Sequence, residues 1–100
     1  MEKFSISMFE EFFNAVLELK TVKDCEKFFE DLCTIKELMD MKQRLEVASL
    51  LKEGKNYQEV CKKTGASTAT ISRVNKCLMY GKGGYSLVLG KGAENKKADK

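Results

Sequence analysis

Apolar positions along this chain recur at three- and four-residue steps, the spacing that aligns one face of an α-helix. Phe9, Phe12, Phe13, Val16 and Leu17 form a first broad stripe and predict a helix from about Ser7 to Lys20. Thr21 is placed to cap a second helix, with Asp24 favouring its N-terminal dipole and Cys25, Phe28, Phe29 and Leu32 as its apolar side. Thr34 with Glu37 reads as a capping box that opens a third, longer helix ending near Glu53. Its expected inner face is Ile35, Leu38, Leu45, Ala48 and Leu51, and Gly54 stands where a left-handed C-terminal cap is wanted. Asn56 with Glu59 repeats the capping-box pattern before a short helix to Lys63. Gly65 breaks that helix, and Ser67 caps a fifth one through Met79. Gly81, Gly83 and Gly84 then end regular structure. The apolar run 85–89 reads as a strand or as an arm lying on a partner chain, and residues 90–100 as a flexible polar tail.

The fold class expected is all-α, a helical bundle with a C-terminal helix-turn-helix. Residues 1–54 supply core and dimer interface, 55–80 the helix-turn-helix head, and 81–100 a Gly/Lys-rich tail, flexible in part. Composition agrees: 43% of the 100 residues are hydrophobic, 33% are charged and none is proline, so nothing forces an interior helix break. No apolar run approaches the roughly 20 residues that span a bilayer. Met1-Glu2-Lys3-Phe4 does not open a signal peptide, so a cytoplasmic location is expected.

Cys25, Cys33, Cys61 and Cys77 form no CxxC pair, and the chain has no histidine. No metal site and no cofactor is expected, and the cysteines are expected to be reduced and mostly buried. With no phosphate-binding glycine loop and no base beside a nucleophile, an enzyme is not expected.

Six phenylalanines fall within the first 29 residues, more than helices this short can hide in one small monomer. Phe9, Phe12, Phe13, Val16, Leu17, Phe28 and Phe29 therefore suggest a homodimer interface, with an ordinary bundle core as the alternative.

Charge is distributed unevenly. Residues 1–54 carry a net −4, whereas 55–82 carry six Lys/Arg against Glu59 alone, a net +5. An anion facing the second half would account for this. Val60 or Cys61 can supply the small apolar contact that two steeply crossing helices need, Gly65 the turn, and Ile71, Val74 and Leu78 the inner face of the second helix. On its outer face Ser67, Thr68, Thr70, Ser72 and Arg73 gather in the first turns. Hydroxyls reach phosphates and base edges, and an arginine can bridge O6 and N7 of guanine. Lys55, Lys62, Lys63 and Lys76 suit phosphate neutralisation. The partner expected is double-stranded DNA, read in the major groove by a homodimer acting as a transcription regulator, a repressor. A protein–protein adaptor with an incidentally basic half is the competing reading.

The stretch from Thr34 and Glu37 through Gln43-Arg44-Leu45, Leu50-Leu51 and Thr64-Gly65-Ala66-Ser67 to Ala69-Thr70-Ile71-Ser72-Arg73 resembles the Trp-repressor family, in particular its YerC/YecD-type Trp-repressor-like branch. The resemblance implies an intertwined all-α homodimer with two reading heads. It also implies a ligand site in which Arg44, Arg73 and Thr34 match residues that clasp tryptophan, hence a tryptophan-like responsive repressor as an alternative function. Val74 stands where the sensing members have a glycine, and Cys77 where they have a serine. Added bulk in the place of a flat ring opposes that ligand.

Overall fold

Short polar side chains set where the helices begin. In the computed structural model, which describes residues 5–90, the Ser5 hydroxyl accepts from the Ser7 amide and opens a 3-10 turn, Ile6–Phe9. This runs into α1, Glu10–Val16. Thr21 accepts from the Asp24 amide at 3.0 Å and starts α2, Val22–Leu32. Helix α3 spans Ile35–Lys52, α4 Tyr57–Thr64 and α5 Thr68–Tyr80, followed by a π-helical turn at Ser86–Gly90. The described residues contain no strand, so the all-α expectation holds.

Helix α1 ends at Val16, short of the expected Lys20. Thr21 must be extended (ψ 165°) to cap α2, and the Asp24 carboxylate also accepts from the Lys20 amide at 3.0 Å. The residues ahead of that cap therefore unwind through i→i−3 bonds, Glu18 to Ala15 and Leu19 to Val16. The 85–89 run is a helical turn rather than a strand. The polar tail expected from residue 90 lies, from 91 onwards, outside the described residues.

Two compact units divide between Lys36 and Glu37. In the first, no residue from 5 to 36 is buried. Its aromatic rings meet locally: Phe9 with Phe13 at 6.2 Å, Phe12 with Phe13 at 5.7 Å, and Phe28 edge-on to Phe29 at 5.1 Å. Phe12, Phe13 and Leu17 remain exposed, at 41%, 44% and 75%, while Phe9, Val16, Phe28 and Phe29 are half-buried.

The second unit holds the core. Val47 and Ala48 of α3, Val60 of α4, Ala66 of the turn, and Ile71 and Val74 of α5 are buried together, with Leu50, Leu51, Leu78, Tyr85 and Leu89 packed around them. The inner face expected for α3 is corrected here. Val47 is buried with Ala48, whereas Ile35 and Leu45 are exposed. Apolar residues surround this helix, so its periodicity does not single out one face. The expectation of mostly buried cysteines also fails, since Cys25, Cys61 and Cys77 are exposed and Cys33 is half-buried. Cys61 follows the buried Val60 by one position, which turns it about 100° away from the core. None of the described helices is long and apolar enough to cross a membrane.

Candidate nucleic-acid interface

The geometry of the basic segment follows from its caps. Asn56 accepts from the Glu59 amide at 2.9 Å, and Glu59 returns by accepting from the Asn56 amide at 3.0 Å, closing the capping box that starts α4. The one carboxylate of residues 55–82 is thereby held at a helix N-terminus. At the other end of α4, Gly65 adopts φ +76° and its amide donates to the Cys61 carbonyl at 2.8 Å.

Thr64 fixes the same turn from inside. Its hydroxyl donates to the Val60 carbonyl at 2.7 Å and accepts from the Ala66 amide at 3.1 Å. The Gln43 side-chain amide donates to the Thr64 carbonyl at 3.2 Å, binding α3 to the turn. Ala66 is then buried, and Ser67 caps α5 by accepting from the Thr70 amide at 3.1 Å. Val60, rather than Cys61, makes the apolar contact between α4 and α5. Ile71 and Val74 are buried with it, and Leu78 is packed beside them. Two short helices joined by a three-residue turn and locked on a third have the form of a helix-turn-helix.

Each expected contact residue has a definite place on this head. Thr68, Ser72, Arg73 and Lys76 are exposed along α5, and the steps of four from Thr68 to Ser72 to Lys76 put these three in one row. Among the described residues none of these four has an ion pair or a side-chain hydrogen bond, so their polar groups are open to a ligand. Ser67 and Thr70 differ. Their hydroxyls lie 3.2 Å apart and serve the cap, which leaves Thr68, Ser72 and Arg73 as the outward groups. Lys62 and Lys63 are exposed in the last turn of α4, and Lys55 is half-buried ahead of it. The first turn of α5 contains no acidic residue, so nothing offsets its positive dipole end.

Sequence reasoning missed one part of this surface. Tyr57, Gln58 and Cys61 join Lys62 and Thr68 around an open concavity of about 430 Å³ at the mouth of the two helices. The signal was available in the four-residue steps from Tyr57 to Cys61 and from Gln58 to Lys62, on the side of α4 away from Val60.

Of the residues considered for a small ligand, Arg44 and Cys77 line a second, apolar concavity of about 640 Å³ with Met41, Leu45, Tyr85 and Val88. Arg73 is not among its lining residues, and Val74 is 1% exposed within the core. Thr34 belongs to the first unit, as an exposed residue just ahead of α3.

Comparison with known proteins places this geometry. Residues 7–92 match the family model described as Trp repressor protein. The chain is 51% identical over 80 residues to an uncharacterized protein of Bacillus subtilis (strain 168), YerC, covering 80% of this chain and 77% of that one. A crystal structure of a TrpR-like protein from Eubacterium eligens ATCC 27750 superposes with a TM-score of 0.81 at 47% identity, covering 87% of this chain and 90% of the other. A candidate Trp repressor from Staphylococcus aureus gives the same TM-score at 40% identity, covering 87% of each chain.

Proposed function

Because this chain belongs to the Trp repressor family, a family of DNA-binding regulators, we propose that it is a sequence-specific repressor whose homodimer lays α5 in the major groove. The observation that carries this reading is the outer face of α5. Thr68, Ser72, Arg73 and Lys76 stand exposed on a helix whose opposite side, Ile71 and Val74, is sealed into the core. Lys62, Lys63 and Lys55 flank that face and neutralise backbone phosphates, while Arg73 and the two hydroxyls read base edges.

The dimer is supported by the first unit. Phe12, Phe13 and Leu17 of its apolar stripe are exposed and none of its described residues is buried, which is the state of a surface that another chain covers. Two heads related by a two-fold axis would read half-sites about one helical turn (~34–36 Å) apart. Tryptophan is not required in this reading, since Val74 stands buried where the sensing members have a glycine, and Arg73, exposed on α5, does not line the concavity that Arg44 and Cys77 share.

Selection from random duplex fragments at two salt concentrations tests the proposal. A two-fold symmetric site should be enriched, with log affinity falling steeply and linearly against log salt. Absence of retention at low salt would overturn it. Retention of a protein partner with little salt response would favour the adaptor instead.

A further inference from the structure

Apolar burial presses the helix-turn-helix onto α3 through Val47, Ala48, Val60, Ile71 and Val74, but that attraction has no preferred direction. A hydrogen bond does have one, and it weakens steeply as its angle closes. Gln43 supplies such a bond beside the same seam. It stands four residues before the buried Val47, on the core-facing side of α3, and is half-buried there. Its Nε2 donates at 3.2 Å to the carbonyl of Thr64, 21 positions away.

The acceptor lies on the segment that aims α5. Thr64 closes α4, where a helix no longer supplies partners for its own carbonyls. Its hydroxyl at the same time donates to the Val60 carbonyl at 2.7 Å and accepts from the Ala66 amide at 3.1 Å. Ala66 is buried, and the next residue, Ser67, caps α5. A displacement of the Thr64 carbonyl therefore passes through Ala66 and Ser67 to Thr68, Ser72 and Arg73 on α5. Base-reading side chains tolerate little of this, since a recognition group must be held within about 0.5 Å of its working geometry. Flexible lysines that meet phosphate tolerate far more.

We propose that Gln43 is a positioning residue for DNA specificity: its bond to Thr64 fixes the turn on α3, and with it the orientation in which α5 meets base edges. This rests on the DNA-binding reading above. Without the bond the core still folds and the lysines still meet phosphate, but α5 samples orientations in which Arg73 misses its base. Specific affinity falls and non-specific affinity stays. The fall is bounded by the free energy of the one bond lost, a factor of about two to ten for a neutral hydrogen bond.

The test compares the full-length wild type with Gln43→Met and Gln43→Glu at neutral pH, both close to the parent in length. Methionine has no donor, and an ionised carboxylate only accepts. Each protein is titrated against the duplex that the wild type selects and against random duplex. Denaturant unfolding is followed in the free protein, with amide exchange at Gly65 and Ala66, whose amides bond to Cys61 and Thr64.

Both variants should narrow the ratio of selected to random affinity by about two- to tenfold, with random affinity unchanged for Gln43→Met. Exchange at Gly65 and Ala66 should quicken in both. A bond that only stabilised the fold would lower the unfolding midpoint and leave both affinities as they were, because the protein remains folded; that outcome would overturn the proposal. So would an equal loss on both duplexes for Gln43→Met, or a narrowed ratio in Gln43→Glu alone, which would make charge the cause. Global unfolding of Gln43→Met would overturn it as well, by making the residue plain core structure. If the wild type selects no duplex, the DNA reading fails by itself; quicker exchange at Gly65 and Ala66 would still support the positioning of the turn by Gln43, and unaltered exchange would overturn it.

Discussion

Gly65 offers a clean separation of backbone strain from steric collision. Its φ of +76° is left-handed, and a Cβ built there meets nothing within 4 Å. Gly65→Ala therefore adds no clash, and its cost is conformational alone. An L-residue in that region costs about 1–2 kcal/mol, and the stiffer unfolded chain offsets this only in part, by about 0.4–1 kcal/mol. The net expectation is a loss of about 1 kcal/mol. Gly65→Asn should lose less, because asparagine enters the left-handed region more readily.

The assay is denaturant unfolding at fixed protein concentration, which an associating protein requires. Thermal unfolding should shift in parallel, by roughly 4–8 °C for each kcal/mol in a domain of this size. A loss above about 3 kcal/mol for Gly65→Ala, beyond the whole left-handed penalty, would refute the reasoning by showing that the new methyl collides. So would equal losses for alanine and asparagine, because then the sign of φ would not be the cause.

The other predictions concern the interface and the assembly. Arg73→Ala should cost about 1–3 kcal/mol of binding and relax discrimination at one base pair, read by repeating the duplex selection with the variant. Lys63→Ala should weaken all sequences alike and reduce the salt slope by about one, measured by titration at several salt concentrations. Phe13→Asp puts an unpaired charge into an apolar contact; light scattering behind size exclusion should show monomer or unfolded chain, and a folded dimer would remove helix α1 from the interface. L-Tryptophan at millimolar concentration should shift duplex affinity by less than about twofold, since a ligand with no differential affinity shifts nothing; a tenfold gain would place a ligand beside Val74.

The parts of this protein that were legible in its sequence are those governed by local chemistry. The Asn56–Glu59 box, the Ser67 cap and the Gly65 turn depend on residues within four positions of one another, and each formed where its residue types required. Helix α1 was overextended because its stripe continues into Leu17 and beyond, while the demand of the Thr21 cap acts from outside that stripe. The face of α3 was misjudged for a different reason. Met39, Met41 and Leu45 are as apolar as Val47 and Ala48, and only the position of α4 and α5 decides which of them is buried. The segment 85–89 was ambiguous because Tyr, Leu and Val suit a strand, and its helical turn is imposed by the core that Tyr85 and Leu89 meet. At the candidate interface, residue type put Ser67 and Thr70 among the expected contacts, and only the folded helix shows that their spacing of three brings the two hydroxyls within 3.2 Å of each other.

The absence of any buried side chain from 5 to 36 bears on the life of the protein in a cell. Helix α1 has seven residues and α2 eleven, below the roughly 12–15 at which isolated helices become even marginal in water. If a second copy covers the first unit, as proposed above, a newly made chain would owe the order of that unit to an encounter. Until that encounter the phenylalanine-rich segment would be open to proteases and chaperones, and its survival would grow with the concentration of the covering chain. For a repressor built this way, scarce chains would be cleared and abundant ones preserved, so that the amount of active regulator responds to its own synthesis more steeply than in proportion.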